Sequence, residues 1–262
     1  MNDFYVGYLP KAPTALARFV RRVIIMLGLL AVTTSLVLVV GQMPFANSAF
    51  EYGKVRSFEG VVVTQPFPTL LVARPGAVGQ QDKYSRYLLV APGKHGADAL
   101  VASFDGKQVR LQGQLIYREG GTMVEITPGS VTIVKTAPVV RETTRNLGAL
   151  SLTGEIVDSK CYLGVMNPGQ GKVHRDCAVR CLSGGTPPIF VTTDGHEQFL
   201  LVGLDGRALG RDALREFIAE PIQIQGALLE TGSTQLLKVD PRALRHTPDG
   251  LRAASKGSVF EQ

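Results

Sequence analysis

Residues 23–50 contain no charged side chain, and their first part, VIIMLGLLAVTTSLVLVV, is almost wholly apolar. A helix rises about 1.5 Å per residue, so residues 23–40 reach about 27 Å, enough for a hydrocarbon core of about 30 Å. In lipid, a helix is the one way a single segment satisfies its own backbone, so the β-branched content is no objection. Arg18, Arg21 and Arg22 stand just before the run. The positive-inside rule then assigns residues 1–22 to a cytoplasmic tail, residues 23–43 to a single transmembrane helix, and the rest to the extracytoplasmic side. A cleaved signal peptide is the alternative, with Ala46-Asn47-Ser48 as its small-residue site, although such apolar regions normally run about 7–15 residues. Both readings export residues 50–262.

The formal net charge of +6 invites a nucleic-acid partner. Residues 1–50, however, hold Lys11, Arg18, Arg21 and Arg22 against Asp3 alone, so half of the excess sits beside the anchor. The remainder has no basic run and little aromatic interleaving, which argues against nucleic-acid binding. The expected partners are the membrane itself and a protein of a membrane complex.

Beyond the anchor, short Val/Leu/Ile runs punctuated by Gly and Pro predict strands. They also repeat. Gln108-Val109-Arg110-Leu111-Gln112-Gly113 resembles Pro221-Ile222-Gln223-Ile224-Gln225-Gly226, and Tyr87-Leu88-Leu89-Val90 resembles Phe199-Leu200-Leu201-Val202. Phe58-Glu59-Gly60-Val61 matches Leu152-Thr153-Gly154-Glu155. The pattern predicts a mainly β protein: the anchor, then two tandem OB-like five-stranded β-barrel modules. The modules span 52–136 and 148–247, with a linker over 137–147 and a flexible tail over 248–262. A short helix is expected in each, over 97–103 and 211–219; Leu214, Phe217 and Ile218 share one face of the second.

Between its first and middle strands the second module carries extra residues, and all three cysteines fall there. If residues 174–182 form a helix, His174, Cys177 and Cys181 lie within about 60° of one another at about 3.6 residues per turn. Cys161 would approach from the end of the preceding strand, and Ser183-Gly184-Gly185 followed by Pro187-Pro188 would stop the helix. Three thiolates and an imidazole are the donor set of a closed zinc site. The same soft donors, with Met166 nearby, also suit copper. Asp158 or Asp176 would orient the imidazole. Two other readings use the same residues: a disulfide from Cys161 to Cys177 or Cys181 with one thiol left over, and a redox pair of Cys177 and Cys181.

The pattern Asp-Ser-Lys-Cys, His-x-x-Cys-Ala-x-x-Cys, Gly-x-Pro-Pro-Ile-Phe-Val over about residues 154–192 resembles an uncharacterised group of exported or membrane-anchored bacterial proteins. The chain departs from that group at Tyr162, where the group carries Gly. The resemblance implies that Cys161, His174, Cys177 and Cys181 act as a unit on the periplasmic side of a bacterial inner membrane. It implies no substrate.

No G-x-S-x-G, P-loop, H-E-x-x-H or C-x-x-C-H motif is present. Gly93-Lys94-His95-Gly96 reads as a turn, and His95, His196 and His246 as loop residues. The function expected is therefore an accessory or binding protein with a Cys3His zinc or copper site. The alternative is a non-catalytic subunit of a membrane complex, for example a respiratory one, whose cysteine loop is stapled by a disulfide.

Overall fold

The computed structural model describes residues 12–42, 48–74, 83–135 and 143–247. Most of the tail before the anchor, the cleavage motif at 46–47, most of the linker and the final fifteen or so residues lie outside that set. The chain divides into two units, one ending at Ala46 and one starting at Asn47. The first is a single helix, α1 (Thr14–Gln42), which begins before the expected span and includes the arginines. It is long and apolar enough to cross a membrane, a property it shares with signal sequences.

The second unit holds two closed five-stranded β-barrels. Short added strands aside, the first uses β2 (Arg56–Val63), β3 (Thr69–Ala73), β4 (Tyr84–Ala91), β6 (Gln108–Arg118) and β7 (Gly121–Ile126). Strand β1 (Ser48–Phe50) and strand β8 (Thr132–Lys135) pair with β6, and β5 (His95–Gly96) pairs with β4. The second barrel uses β9 (Thr144–Asp158), β10 (Pro188–Thr192), β11 (Gln198–Val202), β12 (Ile222–Thr231) and β13 (Thr234–Val239), with β14 (Arg245–His246) on β12. In each barrel the first three strands meander, the fourth closes on the first, and the fifth runs parallel to the third. That is the OB strand order expected from the repeat.

The repeated glycines have a shared cause. Gly60 opposes Val109 and Gly154 opposes Ile222, so the register reproduces the sequence offsets. A Cβ on Gly60 would strike the Leu71 carbonyl, and one on Gly154 the Val191 carbonyl. Gly113 and Gly226 are pressed in the same way against Glu125 and Lys238. These are bends where backbone crosses backbone, and only glycine leaves the room.

Two expectations change. Strand β9 begins at Thr144, inside the stretch read as linker, because its first residues pair with the far end of β12, Thr144 opposite Thr231. The first short helix forms as α2 (Asp98–Val101) plus a 3-10 turn. The second, α4, covers only Arg211–Leu214. There Ile218 bridges to Ile156 and the Ala219 N–H donates to the Ile156 carbonyl, so β9 takes the bonds that a longer helix would have used.

Three apolar clusters explain why the runs are apolar on both faces. Leu70, Leu89, Leu111 and Ile126 fill the first barrel, and Ile156, Phe190, Leu201 and Ile222 the second. A third cluster joins them: Val90, Ile116 and Met123 of the first barrel pack with Val157, Ile189, Leu200 and Val202 of the second. Strand alternation does the sorting, since Phe190 points into its own barrel while Ile189 and Val191 point at the other. The modules are thus fused through a shared core. Ile116→Ala should destabilise the protein by about 2–5 kcal/mol. Chemical denaturation should still give one transition for both barrels; two separated transitions would disprove the coupling.

Candidate metal centre

The residues between β9 and β10 form the insertion. Strand β9 ends at Asp158, and the chain enters a wide helical turn, Cys161–Val165. A short 3-10 turn, Lys172–His174, leads into α3 (Arg175–Ser183). Helix α3 carries Asp176 in its first turn and ends on Gly184, whose N–H donates to the carbonyls of Arg180 and Cys181. Gly185 follows at φ 95°, a left-handed conformation natural to glycine. Ala178 and Leu182 of α3 enter the core of the second barrel. That burial turns the neighbouring positions, Cys177 and Cys181, together toward Cys161.

The three sulfurs converge. Cys161 Sγ lies 3.8 Å from Cys177 Sγ and 3.9 Å from Cys181 Sγ. A disulfide holds its sulfurs about 2.05 Å apart; the three cysteines here are free thiols, so neither expected disulfide is formed. A tetrahedral ion with metal–sulfur bonds of about 2.3 Å holds its sulfurs about 3.8 Å apart. The donor set and its spacing therefore fit a metal ion.

His174 stands one residue before α3 and joins the cluster by a different route. It groups with Asp158 and Cys161, all three buried, and not with all three sulfurs at once. His174 Nε2 is 2.8 Å from Asp158 Oδ2, while Asp158 Oδ1 accepts from the Cys161 N–H at 2.8 Å. With Asp158 as a carboxylate, Nε2 carries the proton, and Nδ1 is left with a lone pair. Nδ1 is buried and has no hydrogen-bond partner among the described residues. Of the two aspartates, Asp158 orients the imidazole. Met166 is exposed.

Two lysines belong to this site, and the sequence pattern assigned a role to neither. Lys94, in the turn between β4 and β5 of the first barrel, donates to Cys177 Sγ at 2.7 Å and approaches Cys181 Sγ at 3.8 Å. It is held by close backbone contact: the Gly96 N–H donates to the Gly184 carbonyl at 2.9 Å, and a Cβ on Gly184 would strike the Lys94 carbonyl. Lys160 is nearly buried, with its side chain 3% exposed. Its ammonium sits 2.5 Å from Glu125 of β7 and donates to the carbonyls of Ala91 and Gly93. Four consecutive residues, Asp158 to Cys161, are thus buried. A Gly-Lys-His-Gly turn facing a cysteine cluster was the available signal, but its partner lies 83 residues away.

The charges order the thiols. The Cys181 thiol is held below its ordinary value, chiefly by accepting a hydrogen bond from Cys161, with the Lys94 ammonium adding to the effect. Cys161 is correspondingly pushed up, by that bond, then by burial and by the Asp158 charge. The Cys177 hydrogen bond raises Lys94. Cys181 is therefore the first of the coupled pair to ionise.

Comparison of the chain with protein families, curated proteins and solved structures finds no match.

Lys160→Met would leave Glu125 buried without its cation and should cost about 3–5 kcal/mol in chemical denaturation. Glu155, beside this site, accepts from the Gly171 N–H, and burial raises its pKa above the ordinary carboxylate value. Between the unfolded and the raised folded value the native state binds more protons, so stability falls as pH rises through that window. Glu155→Gln should therefore be more stable than the parent at neutral pH, with the advantage disappearing in acid below the ordinary carboxylate value. Equal stability of the two proteins across the pH range would refute the assignment.

Proposed function

We propose that the chain is an accessory protein anchored in a bacterial inner membrane by α1, with its two barrels in the periplasm and a closed zinc centre at their junction. The arginines before the apolar run support that orientation. The reading rests above all on the spacing of the three sulfurs, which is that of ligands to one ion and not of a disulfide. His174 supplies the fourth donor through Nδ1, with its Nε2–H on Asp158, the carboxylate–histidine pairing that orients metal-bound imidazoles.

Charge balance favours zinc. A doubly charged ion and the Lys94 ammonium offset three thiolates and leave only the Asp158 carboxylate, whereas copper(I) leaves one further negative charge at a largely buried site. The role is structural: the ion clamps α3 to the end of β9, and Lys94 carries the clamp to the first barrel. A copper(I) carrier is the second reading. It draws on one observation, that His174 does not share a group with all three sulfurs, and three thiolates alone satisfy copper(I).

The test is metal content and free-thiol count on the full chain in detergent. One zinc per chain is expected, lost in Cys177→Ser and Cys181→Ser, weakened in His174→Ala, which removes the fourth donor, and weakened by about 10–100-fold in Lys94→Gln, a change outside the ligands. One copper(I) per chain, indifferent to His174, would establish the carrier reading instead. No metal, with two cysteines bonded and one thiol free, would defeat both and return the loop to a disulfide staple.

A further inference from the structure

The three sulfurs of the metal centre are unequally placed toward solvent. Cys161 and Cys181 are buried, whereas Cys177 is half-buried. Cys177 is also the sulfur that meets the exposed Lys94, whose ammonium reaches it at 2.7 Å. A reagent arriving from solvent therefore meets Cys177 first. Behind it, Cys161 Sγ lies 3.8 Å away on a different element, the wide turn after β9. A disulfide needs about 2.05 Å, so these two sulfurs must close by about 1.8 Å, a shift that side-chain rotation supplies. Cys177 and Cys181, by contrast, stand four apart on α3, a separation that strains disulfide geometry.

We infer that the centre is a redox switch: hydrogen peroxide oxidises Cys177, Cys161 closes a disulfide with it, and the zinc is released. The inference rests on the zinc reading above and adds its regulation. In the first step the Cys177 sulfur attacks one peroxide oxygen and the O–O bond breaks, giving a sulfenic acid and hydroxide. The Lys94 ammonium beside that sulfur offers the departing oxygen a positive charge. The Cys161 thiolate then attacks the sulfenic sulfur; the S–S bond forms, the S–O bond breaks and a second hydroxide leaves. Two thiolates give up two electrons, one peroxide accepts them, and two protons from solvent turn the hydroxides into water. The ion keeps its double charge throughout.

The disulfide leaves Cys181 and His174 as the remaining donors, too few for a closed tetrahedral site. It also takes from Lys94 its nearest thiolate, so the remaining one is Cys181 at 3.8 Å. The side-chain link from the first barrel to α3 is thereby loosened. The backbone link, from the Gly96 N–H to the Gly184 carbonyl, involves no sulfur and stays. The oxidised chain therefore keeps its fold, and a dithiol with added zinc restores the centre.

The test uses the full chain in detergent, its zinc content measured first, then treated with one molar equivalent of hydrogen peroxide. Zinc release is followed with a chelating dye, and the sulfurs are mapped by alkylation and mass spectrometry. One zinc is expected to leave per disulfide formed, with Cys161 joined to Cys177 and Cys181 alkylated, and dithiothreitol plus zinc should reverse both. In Cys161→Ser the second step has no thiol, so the sulfenic acid should persist and be trapped by dimedone on Cys177. A chain that holds zinc and keeps it under peroxide would overturn the switch and leave the zinc reading standing. Zinc release with a bond to Cys181, or with dimedone on Cys181 in the variant, would overturn it as well. A chain that holds no zinc before peroxide would overturn both.

Discussion

The buried pair of Lys160 and Glu125 is the contact on which the geometry of the junction depends. An ammonium out of water must be matched by charge and by acceptors, and Lys160 finds a carboxylate from β7 and two carbonyls from the end of β4. All three partners belong to the first barrel, whereas Lys160 lies two residues past Asp158, the last residue of the first strand of the second. The chain beyond it cannot drift without stranding a charge. Cys161 is therefore delivered to one place, and Asp158, on the other side of Lys160, is fixed to face His174.

The shared apolar core makes that accuracy possible. The two barrels share the same strand order, the same closing glycines and the same crossing of backbone on backbone. Had each barrel been apolar only inside, the pair would be beads on a linker. Instead Val157, Ile189, Leu200 and Val202 turn a second apolar face outward, and Val90, Ile116 and Met123 meet it. Each fully buried side chain of this kind contributes on the order of 1.5–3 kcal/mol. The second barrel gained the cysteine insertion where the first has only the short segment at 64–68. The first, without cysteines of its own, supplies the cation that faces them.

Lys94 changes what the cluster is chemically. Burial and the Asp158 charge oppose the ionisation of Cys161 and Cys181 alike. The Lys94 ammonium, 2.7 Å from Cys177, helps to lower the Cys181 thiol, and the Cys161-to-Cys181 hydrogen bond decides which of that pair loses its proton first. The two-barrel arrangement also fixes Arg118 of the first module, whose guanidinium lies over the Tyr162 ring of the second.

Local order in the sequence determined much. Charge exclusion over residues 23–50 identified a helix long and apolar enough to cross a membrane, and repeated strand motifs at constant offsets specified two barrels and their register. Helical spacing put Cys177 and Cys181 on one face, since that angle is a property of the helix alone. The extent of α4 and the start of β9 were not legible, because each depends on which distant strand accepts the backbone hydrogen bonds. The pairing of the barrels, the placing of Lys94 and Lys160, and the split of His174 from two of the sulfurs were decided only by tertiary structure. Those contacts join residues tens of positions apart, and no periodicity records which buried charge will meet which. The apolar helix that dominates the sequence fits a membrane span or a signal sequence, while the thiol cluster at the junction of the barrels fits a metal ion.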